Sequence, residues 1–325
     1  MQTLSQFQAL IEQYIEDHPF ADEPKGLYEP ASYIISLGGK RLRPAFVLMG
    51  HYLFADDVQK SLPAAYAVEI FHNFSLVHDD IMDAAPLRRG KPTVHLKYGL
   101  NTGILSGDAM LIEAYEYLSQ LPPETDLRAA LKVFNRFAIE VCEGQQYDLE
   151  FETRSEVDIA AYLRMIELKT AALIGGSLHL GALTAGASRA DCEHLDHFGR
   201  LVGTAFQLQD DILDAYGDPA KFGKKVGGDI VQNKKTYLFL RALELASSEQ
   251  RTALEQWYSQ PIADEKEKIQ AVMNIFDGLN IRQAAISAKE QLMEQAYLHL
   301  DAIHAPAERR ELLRSFTRQL ADRDF

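Results

Sequence analysis

Two aspartate clusters of one spelling constrain this chain more than any other feature: Asp79-Asp80-Ile81-Met82-Asp83 and Asp210-Asp211-Ile212-Leu213-Asp214. Each is a DDxxD, and each follows an apolar stretch with helical character. On a helix the first and last aspartates of each cluster stand at i and i+4 and share a face. A fold that brings two such faces together builds a pocket of carboxylates that repel one another. Mg2+ relieves that repulsion, because it takes oxygen ligands from a few carboxylates together with substrate phosphates. The pattern points to a helical scaffold whose occupant is a Mg2+-bound di- or polyphosphate.

The rest of the chain bounds this reading. Its 325 residues can bury a large core, as one large domain or two ordinary ones. No apolar run approaches the roughly 18–20 residues that span a bilayer. The opening Met1-Gln2-Thr3-Leu4-Ser5-Gln6-Phe7 lacks the basic and apolar regions of a signal peptide. Cys142 and Cys192 are the only cysteines and form no CxxC, which fits a cytoplasmic protein and argues against a zinc site or disulfide framework. A formal charge of −14 disfavours nucleic-acid partners. An anionic substrate stays open, because the basic residues are unevenly placed.

Helical periodicity dominates. Ile159, Tyr162, Leu163 and Ile166 fall at i, i+3, i+4 and i+7, and Leu292, Ala296, Leu300 and Ile303 form a similar stripe. Convincing alternating strands are absent. Breaks are expected at 121–126, at 260–264 and, longest, across the Gly/Lys-rich 217–228. No linker or tandem repeat interrupts the pattern. The expected architecture is all-α, a single-domain bundle of many helices spanning 1–325 around a central cavity.

Cations cluster around the carboxylates. Arg88-Arg89-Gly90 follows the first DDxxD; these arginines are either its salt-bridge partners or a grip on phosphate oxygens, a task that suits the planar guanidinium fork. The stretch Lys221-Phe222-Gly223-Lys224-Lys225-Val226-Gly227-Gly228-Asp229, followed by Asn233-Lys234-Lys235-Thr236, reads as a solvated loop or as a cationic lid. In Gly38-Gly39-Lys40-Arg41-Leu42-Arg43-Pro44, Lys40 and Arg43 are three apart and would share one side of a helix start, where backbone amides add anion affinity. Two carboxylate clusters and three cationic patches suit two phosphate-bearing substrates. His78 reads as a packing histidine or a metal neighbour, and 143–148 as a polar network beside the site. The C-terminal Arg318, Asp322 and Arg323 read as solvated.

These motifs closely resemble the trans-isoprenyl (polyprenyl) diphosphate synthases. GGKRLRP, HDDIMD, RRG, GQQYD at 144–148, Lys169-Thr170, FQLQDDILD, GKKVGGD and NKKT occur in the family's order between residues 38 and 236. The resemblance implies an isoprenoid synthase fold, a homodimer, and Mg2+-dependent head-to-tail condensation of isopentenyl diphosphate with an allylic diphosphate. It implies that Asp79, Asp83 and Asp210 are the principal ligands of about three Mg2+ ions, supported by Asp80, Asp211 and Asp214. Arg88, Lys169, Lys225 (or Lys224) and Lys234 would hold the allylic diphosphate. Lys40, Arg43, His72 and Arg89 would hold isopentenyl diphosphate. Thr170 and Gln207 would line the reacting centre.

In this family the residues four and five before the first aspartate help set product length. Here they are Ser75 and Phe74. One aromatic at the fifth position, with no insertion in the motif, resembles the short-chain geranylgeranyl pattern, with farnesyl next. Terpene cyclases pair DDxxD with a different second metal motif and need no second diphosphate site. Non-catalytic subunits of heteromeric prenyltransferases usually lose an aspartate cluster, and this chain retains both.

Overall fold

The computed structural model describes residues 3–154, 156–218, 226–259 and 264–321. The fold is all-α, as the periodicity predicts, with one addition: a hairpin of two-residue strands, β1 (Leu87–Arg88) and β2 (Lys91–Pro92), too short to register as alternation. Contacts divide the chain into two compact units, each assembled from three separate segments. One comprises Met1–Ala138, Ile174–Asp196 and Ala302–Leu313; the other comprises Ile139–Leu173, His197–Asp301 and Arg314–Phe325.

The first unit carries α1 (Leu4–Asp17), α2 (Lys25–Ser36), α3 (Leu42–Tyr52), α4 (Leu62–Met82), α5 (Val94–Tyr98) and α6 (Leu100–Ser119). It also holds the start of α7 (Leu127–Thr153), most of α9 (Ala172–Thr184) and the start of α10 (Arg189–Tyr216). Helix α4 is its centre. A proline in its first turn has no amide to leave unsatisfied there. The apolar run that follows is buried on nearly every side, including Ala64, Ala65, Tyr66, Val68, Ile70 and Phe71. Helix α6 lies against α4 through Gly103 and Gly107. A Cβ at Gly107 would fall 2.3 Å from His78 Nε2, so only glycine permits this approach. Away from this contact α6 exposes Leu100, Ile104, Leu105 and Ile112, the last at 70%.

The second unit carries the rest of α7 and α10 with α8 (Ile159–Ile166), a π-helical turn at Glu167–Ala171, and α11 (Gly228–Val231). It continues with α12 (Tyr237–Leu245), α13 (Ser248–Ser259), α14 (Glu265–Gly278) and α15 (Ile281–Ala302). Helix α16 (Ala307–Ala321) begins in the first unit and ends in the second. The predicted stripe forms α8, with Tyr162 and Ile166 buried in a core with Leu208, Ile212, Tyr237 and Phe239. The other stripe lies on α15, where Ala296 and Leu300 are buried. No described helix is long and apolar enough to cross a membrane.

Candidate active site

In the first unit, Asp79 and Asp83 close α4. The Asp83 amide donates to the Asp79 carbonyl at 2.9 Å, so the helical i, i+4 relation holds to the cap. Asp80 points elsewhere and is fully buried. It accepts from Arg88 Nε at 3.1 Å and Nη2 at 2.5 Å, while Arg88 Nη2 also lies 3.6 Å from Asp79 Oδ2. Burial works against the Arg88 charge more than any single neighbour supports it, but the bond to Asp80 and the charges of Asp80, Asp79 and Asp83 together raise the guanidinium pKa. Of the two readings open for Arg88, the structure displays the salt bridge.

The hairpin aims these arginines. Arg89 and Gly90, both at positive φ (53° and 74°), form its two-residue turn, the conformation whose twist matches paired strands. The Arg89 guanidinium lies against Gly39, where a Cβ would approach Nη2 to 2.9 Å. Gly38, Gly39 and Arg41 all take positive φ, so α3 starts only at Leu42. This corrects one expectation: Lys40 precedes the helix instead of sharing its first turn with Arg43. The Lys40 carbonyl is anchored by Gln8 Nε2 at 2.5 Å. Arg41 is held in its left-handed conformation by a buried ion pair with Glu69 at 2.5 Å and a bond to the Ile35 carbonyl at 2.8 Å.

Arg43 Nη1 donates to His72 Nε2 at 3.2 Å. Burial, then the neighbouring Arg43, Arg89, Arg88 and Arg41, push the His72 pKa well below its usual value, so the ring is neutral and accepts. Burial lowers Arg43 to about 10; Glu69 partly offsets this and Arg89 adds to it. A set of guanidinium groups gathered around a neutral imidazole is an anion site in waiting.

His78 donates from Nε2 to the Ile104 carbonyl at 3.1 Å, the geometry of a packing histidine. One turn earlier, Phe74 is partly buried with its ring 4.9 Å from His78 and 5.6 Å from Phe71; Ser75 Oγ bonds back to the His72 carbonyl at 2.8 Å.

In the second unit, α10 presents Asp210, Asp211 and Asp214. Asp211 is buried, accepts from Tyr162 Oη at 2.5 Å, and accepts from Gln207 Nε2 at 3.2 Å. Thr170 Oγ1 lies 3.4 Å from Gln207 Oε1, so Thr170, Gln207, Asp211 and Tyr162 form one chain of polar contacts. Burial and then Asp229 raise the Asp211 carboxyl to about 7, against the lowering effect of the Tyr162 and Gln207 bonds. Asp214 Oδ2 accepts from the Asp229 amide at 2.9 Å, tying this cluster to the start of α11.

Lys169 and Thr170 sit in the π-helical turn, a geometry that re-aims side chains and is frequent at functional sites. Lys169 Nζ is 2.6 Å from Asp148 Oδ2. Gly144, one turn before Asp148 on α7, makes that contact possible: a Cβ there would lie 2.2 Å from the Lys169 amide nitrogen. Lys234 is half exposed, with Nζ 3.8 Å from Asp229 Oδ1. Lys235 donates to the Phe151 carbonyl at 2.7 Å and to that of Arg154, capping the end of α7. Lys224 and Lys225 lie outside the described residues, as do Asp322 and Arg323; Arg318 is exposed.

The donor set fits a hard divalent cation. The ligands available are carboxylate oxygens, with neither cysteine assigned to the site. Among the described residues no three His, Cys, Asp or Glu side chains form a ready-made metal cage.

The motifs alone did not expose Glu69, Tyr162, Asp229 or the individual role of Asp148. Glu69 and Tyr162 look like ordinary interior positions of helices. Asp148, spaced four from Gly144 in GQQYD, and Asp229, the last residue of GKKVGGD, each carried a local signal.

The family described as polyprenyl synthetase matches residues 24–276. The chain is 40% identical over 235 residues to the short chain isoprenyl diphosphate synthase of Methanocaldococcus jannaschii, covering 72% of each chain. It matches a solved geranylgeranyl pyrophosphate synthase with a TM-score of 0.95 and 43% identity over 100% of both chains. It also matches the polyprenyl synthase from Caulobacter crescentus CB15 complexed with calcium and isoprenyl diphosphate. There the TM-score is 0.85 and identity is 29%, over 99% of this chain and 96% of that one.

Proposed function

The chain belongs to the polyprenyl synthetase family, and from that premise we propose which of its residues bind, ionise and elongate an allylic diphosphate. It is a prenyltransferase, a short-chain isoprenyl diphosphate synthase. The family uses divalent metals; the ion proposed here is Mg2+, held by Asp79, Asp83 and Asp210 with support from Asp80, Asp211 and Asp214. Bound there, Mg2+ supplies charge neutralisation and orientation to the diphosphate leaving group.

Arg88, Lys169 and Lys234 bind the allylic diphosphate, with Lys225 or Lys224 beyond the described residues as the further cation. Ionisation breaks the C1–O bond and leaves its electron pair on the diphosphate. Thr170 and Gln207 orient oxygen dipoles toward the allylic cation. Apolar walls exclude water that would quench it. Lys40, Arg43, His72 and Arg89 hold isopentenyl diphosphate, whose double bond attacks C1. The new cation loses a proton to the departed diphosphate, so no protein base is required. The observation that carries this reading is the set of guanidinium groups, Arg43 and Arg89 among them, gathered around a neutral His72 in the first unit. The family match spans segments of both units, which supports treating 1–325 as one catalytic domain.

The test is a product assay on purified protein. Isopentenyl diphosphate is supplied with dimethylallyl, geranyl or farnesyl diphosphate, with Mg2+ or with EDTA. Metal-dependent prenyl diphosphate is expected. Hydrocarbon release from farnesyl diphosphate alone would instead indicate a cyclase.

The favoured product is geranylgeranyl diphosphate, with Phe74 as the floor of the chain pocket. Phe74→Ala is expected to lengthen the product and Ser75→Phe to shorten it, read by mass; an unchanged length in both variants rejects this floor. A homodimer is proposed on the exposed Leu100, Ile104, Leu105 and Ile112 of α6, because an apolar stripe of this kind is covered by a second copy in stable assemblies. Leu105→Glu with Ile112→Glu is expected to give monomers in sedimentation; a persisting dimer would place the interface elsewhere. A cytoplasmic location is supported by Cys142 and Cys192 being unpaired, and cell fractionation tests it.

A further inference from the structure

Behind Phe74 runs a row of rings, all within the first unit. Phe74 is 5.6 Å from Phe71, centroid to centroid; Phe71 is 5.5 Å from Phe134 and 5.7 Å from Phe137; Phe134 and Phe137 are 4.9 Å apart. Phe71, Phe134 and Phe137 are essentially inaccessible, whereas Phe74 is only partly buried. The row ends against α9. A Cβ at Gly176 would fall 2.2 Å from Cδ1 and 2.9 Å from Cγ of Phe137, so the ring occupies the space where any other residue would place its first carbon. Protein interiors have little slack, and rings packed edge to face transmit a displacement to their neighbours.

We infer that Phe137, keyed into the notch at Gly176, is a positioning residue that fixes product length from behind the pocket floor. Phe74 can turn away from a growing chain only if Phe71 yields, and Phe71 is held by Phe134 and Phe137. The inference rests on the reading of Phe74 as the floor. It adds that the depth is set by an interlock on α7 and α9, elements that carry no chain-length motif in this sequence.

Phe137→Leu removes ring volume behind Phe71. It is expected to raise the proportion of products longer than the parent's by about tenfold, the scale on which apolar pockets discriminate chain increments. Gly176→Ala pushes in the opposite sense and is expected to favour shorter products. The double variant Gly176→Ala with Phe137→Ala removes the Cγ and Cδ1 that the new methyl group would meet, and lets that methyl occupy the vacated space. Its product distribution is expected to return toward the parent's, a non-additivity that marks direct contact. Far-ultraviolet circular dichroism and melting confirm folding. Should Gly176→Ala not fold, Phe137→Leu carries the test alone.

An unchanged product distribution in folded, active Phe137→Leu overturns the interlock. Phe74→Ala, assayed alongside, separates the two readings. If it lengthens the product while Phe137→Leu does not, the floor stands and the interlock fails. If Phe137→Leu lengthens the product and Phe74→Ala does not, the reading of Phe74 as the floor fails, and the interlock that rests on it is overturned with it.

Discussion

Asp79→Ala and Asp210→Ala will each lower turnover by about a hundred- to a thousandfold while leaving the protein folded, the scale expected when one preorganised charge-stabilising group is removed from a reacting centre. Ionising an allylic diphosphate places new negative charge on the leaving group, and the proposed aspartates act by holding the cations that receive it. Asp79 stands at the exit of α4, whose interior is packed by Ala64 through Val77, so trimming its side chain leaves the helix core intact. Steady-state condensation at saturating Mg2+, paired with thermal melting, measures both halves. Near-normal turnover in either variant would remove that residue from the metal shell. Loss of turnover with loss of folding would transfer its role from chemistry to structure.

Glu69→Ala will cost about 3–5 kcal/mol of stability, because it strands the buried Arg41 charge in an apolar interior. The pair is 2.5 Å apart, with side chains only 6% and 3% exposed, and Asn73 Nδ2 donates to the same Glu69 oxygen at 2.9 Å. A charge buried this deeply cannot recover its hydration without local unfolding. The cost should also reach function. Arg41 anchors a loop with three positive-φ residues, and Lys40 and Arg43 flank it on either side. Urea unfolding gives the stability term, and the Michaelis constant for isopentenyl diphosphate gives the functional one. A loss below about 1 kcal/mol would mean that the loop is held by its backbone and not by this pair. Replacing both partners with apolar residues of matched volume should recover much of the stability, since breaking such a pair costs more than omitting it.

The helical class was legible because burial imposes its period directly. The stripe from Ile159 to Ile166 became α8, and the run from Ala64 to Val77 became the centre of α4. The break marked by proline at 121–126 fell between elements, where α6 gives way to α7, while those at 217–228 and 260–264 lie largely outside the described residues. The residue types of the candidate site were legible too, because its carboxylates and cations fall in short clusters along the sequence. What stayed hidden depends on φ angles and on contacts across long sequence separations. Lys40 and Arg43 satisfy helical spacing, yet left-handed backbone at Gly38, Gly39 and Arg41 delays the helix to Leu42. Nothing in the composition of Glu167–Ala171 marks it as a π-helical turn. The pairing of Arg41 with Glu69 joins residues 28 apart, and that of Tyr162 with Asp211 joins residues 49 apart; neither pair has a local signature.

Arg88 and Lys169 have a consequence in common, each within its own unit. Arg88 already grips Asp80, and Lys169 already grips Asp148. If these cations hold the allylic diphosphate as proposed, the arriving anion must outbid a resident carboxylate, and association becomes an exchange of partners instead of the capture of bare cations. Affinity is then a difference between two charge-assisted contacts. Simple monovalent anions offer these side chains nothing better than what they hold. A diphosphate presents several oxygens at once and can displace the resident. On the proposed assignment, the internal carboxylates act as incumbents, each displaced more readily by a multidentate diphosphate than by a simple monovalent anion.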